Sequence, residues 1–353
     1  MINPSNFWNN KRVLVTGHTG FKGSWLTLWL KKMGAQITGI SLSPNTDPSL
    51  FDLASVNEDM DSHISDIRNL SELKAILLDS KPEIVFHLAA QPLVRDSYLD
   101  PLNTYSTNIM GTINLLESLR SIATAKVVVM ITTDKVYKNY EWPYSYREID
   151  ILGGHDPYSA SKSASEIVIS SYRNAFMGKE NIALSSARAG NVIGGGDWSK
   201  DRLIPDLIRA WESEAALTLR NPNSTRPWQH VLEPIYGYLV LATKTWDDPK
   251  LSGAYNFGPN PDEVATVEKI IGLARHSYGK GEIEYDTDEN QPHEAGWLSL
   301  DNSKSKQVLG VTPKMSLDES IEKTITWYRS LENGMNAKDL CMSNILDYEK
   351  YFE

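Results

Sequence analysis

The sequence predicts an α/β fold, in which a doubly wound parallel sheet is followed by a smaller, mixed α/β lobe at the C-terminal end. Three observations predict it. An apolar strand at residues 11–16 runs through a glycine-rich turn into a helix, and strand-like and helix-like segments then alternate up to about residue 190. Residues 127–132 are a continuous apolar run, which is typical of a strand buried on both faces of a parallel sheet.

Composition excludes several classes of protein. The chain has 353 residues and a net charge of -10, so its long-range field repels nucleic acids and anionic membranes. The one cysteine, Cys341, excludes an internal disulfide and a cysteine-rich metal site, and we expect no metal. Neither a basic leader followed by an apolar segment nor a run of ~20 apolar residues is visible. We therefore expect a soluble, cytoplasmic protein with no nucleic-acid or membrane partner.

The glycine turn after the first strand predicts a dinucleotide site. Gly17, Gly20 and Gly23 are spaced three apart and precede a helix expected at residues 24–33, which Gly34 ends. Such spacing lets the backbone turn tightly and approach a pyrophosphate, whose charge the helix N-terminus attracts.

One feature of many NAD sites is missing. The acidic residue that usually holds the adenosine ribose at the end of the second strand, here residues 36–42, is replaced by a stretch that begins Ser41, Leu42, Ser43. No basic residue stands there for a 2′-phosphate either, so the sequence favours NAD over NADP only modestly. Ser41 or Ser43 can hydrogen-bond the ribose, although serine in a loop is more often turn chemistry.

Further elements follow in alternation. We predict strands at residues 83–88, 126–132 and 183–188, and helices at residues 71–79 with Ser71 as N-cap, from Asp100 to about Leu119, and from about residue 203 to residue 216. Leu88, Ala89 and Ala90 follow the first of these strands. Small residues there suit a backbone that passes close to a cofactor, and tight helix packing explains them equally well.

Polar residues end the apolar run: Thr133, Asp134 and Lys135. Ligands of open α/β sheets lie beyond the carboxyl ends of the strands, so this cluster is a candidate catalytic site. The alternative is that these residues begin a solvated loop.

A tyrosine and a lysine lie one helical turn apart further on. Asp156 is an expected N-cap and Pro157 an expected N1 residue, which places Tyr158 and Lys162 on one helix face. A phenol with a pKa near ~10 acts as a base at neutral pH only if positive charge favours the phenolate, and Lys162 supplies that charge. The spacing is common by chance, but beside the glycine turn and Thr133 the catalytic interpretation is favoured.

The less regular remainder of the chain carries arginines, amides and tryptophans. Arg202, Arg220 and Arg226 lie in segments without periodicity, which is typical of a surface for an anionic ligand with a flat ring. The alternative is that they cover loop surface. We predict a sheet domain over residues 1–190 with a return segment at about residues 228–257, and a substrate-binding lobe mainly over residues 191–353.

Together these motifs resemble the extended short-chain dehydrogenase/reductase family and, within it, the nucleotide-sugar 4,6-dehydratases. The resemblance covers nearly the whole chain and implies a Rossmann-type sheet. Residues 133–135, 188–198 and 226–230 are its most specific strings, and they resemble the members that act on CDP-glucose. Spacing alone does not distinguish cytosine from another base.

The resemblance also implies ligands and partners. It implies NAD, retained tightly or exchangeable, a CDP-glucose substrate, and a homodimer or dimer of dimers. The implied cofactor residues are Gly17, Thr19, Gly20, Phe21, Gly23, Ser41, Asp66, Ile67, Leu88, Ala89, Ala90, Asn108, Tyr158 and Lys162. The substrate residues assigned to the C-terminal part are Asn191, Arg202, Arg220, Arg226 and His230.

The implied reaction oxidises the sugar at C4, eliminates water across C5 and C6, and returns hydride to C6. Thr133, Tyr158 and Lys162 are the implied triad, and Asp134 is the acid. Most dehydratases of this group have glutamate where this chain has Lys135. As C5 base, Lys135 must be neutral: burial, Lys162 and the cofactor cation lower its pKa, whereas Asp134 raises it, so the direction stays open.

Two other functions compete. A nucleotide-sugar 4-epimerase or reductase needs no C5 base or C6 acid, so the Asp134–Lys135 pair weighs against it. A non-catalytic NAD-binding scaffold is disfavoured because the whole triad is present.

Overall fold

The computed structural model describes residues 4–219, 221–285 and 295–352. Its strands are β1 (Arg12–Thr16), β2 (Gln36–Ser41), β3 (Asp61–Ile64), β4 (Ile84–His87), β5 (Val127–Thr133), β6 (Ala183–Ala189), β7 (Val192–Ile193), β8 (Ala216–Leu219), β9 (Thr225–Arg226), β10 (Gln229–His230), β11 (Ala254–Phe257), β12 (Ala265–Thr266) and β13 (Glu282–Tyr285). Its α-helices are α1 (Pro4–Trp8), α2 (Phe21–Lys32), α3 (Leu50–Leu53), α4 (Leu70–Ser80), α5 (Val94–Leu99), α6 (Pro101–Tyr105), α7 (Gly111–Leu119), α8 (Pro157–Tyr172), α9 (Leu203–Glu212), α10 (Leu232–Asp247), α11 (Val267–Tyr278), α12 (Leu317–Glu332) and α13 (Ala337–Glu349).

Seven of these strands form one sheet in the order β11-β6-β5-β4-β1-β2-β3, with every neighbouring pair parallel. The doubly wound fold predicted from the sequence is confirmed. The chain runs outward from β1 to β3 and then returns to β4 on the other side of β1. The reversal places a crevice at the carboxyl ends of β1 and β4, where open α/β sheets bind their ligands.

Burial explains which strands the sequence reveals. Every residue of β4, β5 and β6 is buried, and the apolar run of β5 is long and easily recognised. The edge strand β3 was not predicted. Its sequence, Asp-Ser-His-Ile, has two exposed and two half-buried residues and no apolar alternation. It pairs with β2 through the backbone, which a side-chain pattern does not report.

Three predicted boundaries were wrong. Helix α2 begins at Phe21 and not at residue 24. Helix α4 is capped by Asn69, whose side chain accepts the N–H of Glu72, while Ser71 donates its hydroxyl to the Asn69 side chain. The helix after Arg202 ends at Glu212 instead of residue 216, because residues 216–219 pair with β13 as strand β8. The predicted caps at Asp100 and Asp156 are confirmed: each carboxylate accepts a backbone N–H of the first turn.

A buried ion pair fixes helix α8 to the sheet. Glu166 of α8 accepts hydrogen bonds from Arg188 of β6 at 2.8 Å and from Thr132 of β5 at 2.6 Å. Arg188 holds the pKa of Glu166 below its usual range. Removing one partner of such a pair leaves an uncompensated buried charge, so the contact locks α8 in register with the end of β5.

The C-terminal part of the chain both returns to the sheet and covers its end. Strand β11 pairs with β6, whereas three two-stranded sheets, β7 with β10, β8 with β13 and β9 with β12, lie outside the main sheet. Helix α13 packs on α2, where the Trp29 indole donates to Glu349 at 2.9 Å. Among the helices in the described ranges, none is long and apolar enough to cross a membrane.

Candidate active site

A cavity of about 810 Å³ lies beyond the carboxyl ends of β5 and β6. Residues of the glycine turn and α8 line it together with segments of the C-terminal part. The residues that matter below are Phe21, Lys22, Thr133, Asp134, Lys135, Tyr158, Asn191, Asp197, Arg202, Arg226 and Trp228. The structure therefore brings the strand-end cluster, Tyr158 and three of the predicted substrate residues to one enclosed space.

The glycine turn has the close packing that a dinucleotide site requires. Gly17 has φ +77°, and a Cβ on it would lie 2.7 Å from the backbone nitrogen of Ala89. A Cβ on Gly23 would lie 2.0 Å from the Gly17 carbonyl oxygen. The backbone of the helix therefore packs directly against the backbone of the turn, which leaves no room for a side chain at Gly23. Gly20 caps α2 with no side-chain hydrogen bond, which leaves the first-turn N–H groups for an anion. These residues fit a dinucleotide pyrophosphate.

The end of β2 is organised by two hydroxyls. Thr19 donates to the Leu42 carbonyl at 2.8 Å, and its oxygen lies 2.7 Å from the Ser41 hydroxyl. Because Thr19 uses its only proton on Leu42, Ser41 donates to Thr19, which leaves the Ser41 oxygen as an acceptor for a ribose hydroxyl.

Three of the implied cofactor residues make structural contacts in this structure. Asp66 is paired with Arg68 at 2.5 Å, which holds the pKa of Asp66 below its usual range. Ile67 packs against Gly111, where a Cβ would lie 2.4 Å from the isoleucine Cδ1. The Asn108 amide accepts the Gln91 N–H at 2.8 Å and donates to the Gln91 carbonyl at 3.1 Å.

Asn108 lies in a π-helical turn, Ser106–Met110, between α6 and α7. It also donates to the Ser161 hydroxyl at 2.8 Å, one residue before Lys162. Asn108 therefore ties the loop that follows Leu88, Ala89 and Ala90 to the helix that carries Tyr158 and Lys162.

Thr133 and Asp134 form the centre of the site. The Thr133 hydroxyl donates to Asp134 Oδ1 at 2.9 Å, and Oδ2 of the same carboxyl is buried with no hydrogen-bond partner among the described residues. Burial raises the pKa of Asp134 above its usual value, although the charges of Lys135 and Arg226 oppose the shift. A protonated Asp134 can donate through Oδ2. Lys135 is half-buried and lines the cavity beside it.

Tyr158 and Lys162 are both buried. Burial raises the pKa of Tyr158 to about 12, and a hydrogen bond with Thr133 and the charge of Arg202 work against it. Burial lowers the pKa of Lys162 to about 8, opposed by Glu166. Its ammonium lies 3.5 Å from the Ile131 carbonyl oxygen. At neutral pH the pair is thus a neutral phenol and a charged amine in a dry environment.

The predicted substrate residues divide into two groups. Asn191, Arg202 and Arg226 line the cavity. Arg202 is paired with Asp197 at 2.8 Å. Arg226 is 8 % exposed and donates to the carbonyls of Thr225 and Ala295. Arg220 lies outside the described residues.

His230 is not brought to the cavity, which corrects its predicted role. The side chain is 1 % exposed, its ring packs edge-on against Trp25, and Nδ1 accepts the Leu232 N–H at 3.3 Å. Burial lowers the pKa of His230 to about 3, so the ring is neutral. Trp228, two residues earlier in the same motif, lines the cavity, whereas His230 does not.

The sequence reasoning missed Lys22 and Asp197 as individual residues. Lys22 carried a usable signal, since the first turn of a helix disfavours a cation and a lysine there needs an explanation. Asp197 had no signal apart from the glycines before it, and its role emerges only from the ion pair with Arg202.

Comparison with known proteins supports this geometry. The family model described as GDP-mannose 4,6 dehydratase matches residues 14–324. A CDP-glucose 4,6-dehydratase of Salmonella typhimurium is 48% identical over 349 residues, covering 97% of each chain.

Solved structures show the same fold. A UDP-glucuronic acid 4-epimerase from Bacillus cereus, in complex with UDP-glucuronic acid and NAD, superposes with a TM-score of 0.78 at 26% identity over 90% of this chain and 99% of the other. A dTDP-glucose 4,6-dehydratase from Streptomyces venezuelae with NAD bound gives a TM-score of 0.79 at 22% identity over 92% and 99%. By the extent of the family match and the identity to the Salmonella protein, the chain belongs to the GDP-mannose 4,6-dehydratase family.

Proposed function

We propose that the protein converts CDP-glucose to CDP-4-keto-6-deoxyglucose and water, with NAD as its cofactor. The observation that carries the proposal is the Asp134 carboxyl, which lines the cavity with Tyr158, is buried, has a raised pKa and has no hydrogen-bond partner for Oδ2 among the described residues. An epimerase has no use for such an acid. The 48% identity to a CDP-glucose 4,6-dehydratase supports the nucleotide and the sugar.

The glycine turn, the open N-terminus of α2 and Ser41 would hold NAD, and Tyr158 and Lys162 would face its nicotinamide end. When bound there, NAD accepts a hydride from the sugar and gives it back later in the same turnover. The charge of Lys162, together with that of a bound nicotinamide ring, would favour the Tyr158 phenolate. The high pKa of Tyr158 without ligands is consistent with a base that becomes active only when the cofactor is present.

Tyr158 takes the proton of the C4 hydroxyl. Thr133 hydrogen-bonds Tyr158 and fixes the phenol oxygen relative to the strand end. Lys162 stays protonated below its pKa of about 8 and lowers the energy of the phenolate. The 4-ketone formed in this way acidifies the C5 hydrogen.

Asp134 donates a proton to the C6 hydroxyl as it leaves as water. Burial raises the pKa of this carboxyl, which favours the protonated form that the step needs. Lys135, on the neighbouring position of the same short 3₁₀ turn, is the group we assign to removal of the C5 proton, for which the amine must be neutral. The charge of Lys135 opposes the rise that burial causes in the pKa of Asp134.

Arg226, Arg202 and Asn191 are the residues we assign to the nucleotide diphosphate. Arg226 is held by two backbone carbonyls and Arg202 by Asp197, so both guanidinium groups are fixed before substrate arrives. Preorganised guanidinium groups bind diphosphate oxygens with little loss of entropy.

We further propose a homodimer. Helices α5 to α8 carry large apolar side chains that face outward, including Leu99 at 83% and Leu102 at 82% exposure, with Met110 and Ile167 partly exposed nearby along the same helices. Such a patch is rare on a monomer. Light scattering of the Leu102→Asp variant should show a monomer if this face is the interface, and an unchanged mass would exclude it.

The deciding experiment mixes the protein with CDP-glucose and NAD and follows the alkali-induced absorbance of a 4-keto-6-deoxy sugar. The proposal expects that signal together with the loss of one water in the product mass. A product of unchanged mass would indicate a 4-epimerase. A signal with another nucleotide sugar but none with CDP-glucose would overturn the substrate assignment.

A further inference from the structure

Lys22 occupies an unusual place in the molecule. It is the second residue of α2, directly after the glycine turn, and its side chain lines the cavity with Asp134 and Arg202. Most of α2 beyond it is buried against the sheet. A long, charged side chain at this position therefore reaches the boundary between the dinucleotide turn and the reacting groups.

No counter-ion is paired with Lys22 among the residues that the structure describes. In the described part of the chain, its ammonium makes no hydrogen bond and no ion pair. Two carboxylates are close enough to affect it, Asp197 and Asp134. Asp197 is already paired with Arg202 at 2.8 Å and accepts the Ser199 N–H at 3.0 Å. Burial raises the pKa of the Asp134 carboxyl, which weakens it as a counter-ion.

Two cations act on the same ammonium, Arg202 and Lys162. Together with burial they lower the pKa of Lys22 to about 8, so the amine is still mostly charged at neutral pH. A partly buried charge with two like charges nearby and no paired anion is unfavourable in the free protein. A ligand that brings an anion to this place would remove the penalty.

We propose that Lys22 binds the diphosphate of the dinucleotide. This inference rests on the proposed function, because it presupposes NAD as the cofactor. Two diphosphates can enter the site, and the position of Lys22 on the glycine-turn helix favours that of the dinucleotide. The residues assigned to the substrate diphosphate, Arg226, Arg202 and Asn191, lie in the C-terminal part of the chain, and the two arginines supply their own positive charge.

The proposal also explains how the site can bind NAD although it has no carboxylate for the adenosine ribose. Ser41 stands where many NAD sites have an acid, and its hydroxyl proton is used on Thr19. The ribose is therefore held by fewer hydrogen bonds. The adenosine half of NAD ends in the diphosphate. A charge-assisted contact from Lys22 to that diphosphate compensates for the weaker binding of the ribose.

The test is calorimetric titration of dinucleotide-free protein with NAD, ADP-ribose, adenosine and CDP. We expect Lys22→Met to bind NAD and ADP-ribose about tenfold or more weakly, since a charge-assisted hydrogen bond is lost, and to bind adenosine and CDP within about twofold of the unchanged protein. Lys22→Arg should keep NAD affinity within a few fold. Lys74→Met, which removes an exposed positive charge from α4, is the control for net charge and should change nothing.

ADP-ribose contains the diphosphate without the nicotinamide, so it separates a phosphate contact from an effect on the ring. NAD affinity of Lys22→Met within about twofold of the unchanged protein would overturn the inference. Loss of CDP affinity with NAD affinity intact would also overturn it and would place Lys22 in the substrate site. If the unchanged protein binds no NAD, the proposed function itself fails. Lys22→Gln provides a second neutral variant should Lys22→Met not fold.

Discussion

The Thr133 hydroxyl donates to Asp134 Oδ1 at 2.9 Å, so the two side chains at the end of β5 are linked before any ligand binds. One carboxyl oxygen is engaged, and the other is buried without a hydrogen-bond partner in the described chain. The same hydroxyl also lowers the pKa of Tyr158, so the acid for C6 and the base for C4 both interact with Thr133. Both proton transfers therefore depend on the geometry of a single strand end.

Asp134→Asn should abolish elimination while leaving the site folded. Asparagine keeps the acceptor for Thr133 and the shape of the side chain but cannot donate an acidic proton to C6. We expect kcat for the 4-keto-6-deoxy product to fall by about 100-fold or more, with CDP affinity unchanged. Steady-state kinetics and CDP titration measure the two effects. A loss of only a few fold would remove Asp134 as the acid.

The pH profile gives an independent check on Asp134. The acid must be protonated to act, and burial raises its pKa, so its protonated fraction is lost only as the pH rises through the raised value. We therefore expect kcat to decline on the alkaline side of the profile. In Asp134→Asn the residual rate should lack this decline. A decline at the same position in the variant would assign it to another group, such as Lys162.

Lys135→Met tests the C5 base. Methionine keeps the length and apolar stem of the side chain but has no amine. We expect turnover and the exchange of the C5 hydrogen with solvent deuterium each to fall by about 100-fold. The matched control is Lys138→Met, three residues further on and also at the cavity wall. If C5 exchange survives in Lys135→Met with a few-fold loss, the base is another residue.

Arg226→Lys and Arg226→Ala test the diphosphate site. The guanidinium is buried and donates to two carbonyls, which fix its position. A lysine ammonium lacks the planar set of donors that makes both contacts at once. We expect KM for CDP-glucose to rise about tenfold in Arg226→Lys and further in Arg226→Ala, with NAD affinity unchanged. Thermal unfolding of both variants controls for lost packing. An unchanged KM in a folded variant would remove Arg226 from the site.

Much of the fold was visible in the sequence because its signals are local. The glycine turn, the caps at Asp100 and Asp156 and the buried strand before Thr133 each depend on neighbouring residues, and each lies where it was predicted. Strand β3 was missed because a polar edge strand is defined by backbone pairing with β2. A pattern of neighbouring residues cannot reveal which distant strand an edge strand pairs with.

The same distinction between local signals and distant partners applies to the residues of the site. Tyr158 and Lys162 share a helix face because of their spacing, and that could be predicted. Whether Arg226 or His230 reaches the cavity depends on which face of a short strand each side chain occupies, and two-residue strands show no alternation to read. The charge balance around Lys22 is set by Asp197 and Arg202, about 180 positions further along the chain, so only the folded structure reveals it.

Buried neutral histidines should make the fold sensitive to acid. The pKa of His230 falls from its usual value of 6.5 to about 3 on folding because burial disfavours the charged ring. The unfolded chain takes up a proton below 6.5 and the folded chain does not. The stability contributed by this group is therefore complete above that value and is lost as the pH falls toward the folded pKa, at up to about 1.4 kcal/mol per pH unit.

His230→Asn isolates that contribution, since Asn Oδ1 can replace Nδ1 as the acceptor for the Leu232 N–H. The variant should be less stable at every pH because it loses the contact with Trp25. Between about pH 7.5 and about pH 6, however, its free energy of unfolding should fall by about 1 kcal/mol less than that of the unchanged protein. Urea unfolding at the two pH values measures the difference, with the exposed His276→Asn as control. Equal losses in the two proteins would show that His230 takes up its proton in the folded state, and hence that its ring is not enclosed against Trp25.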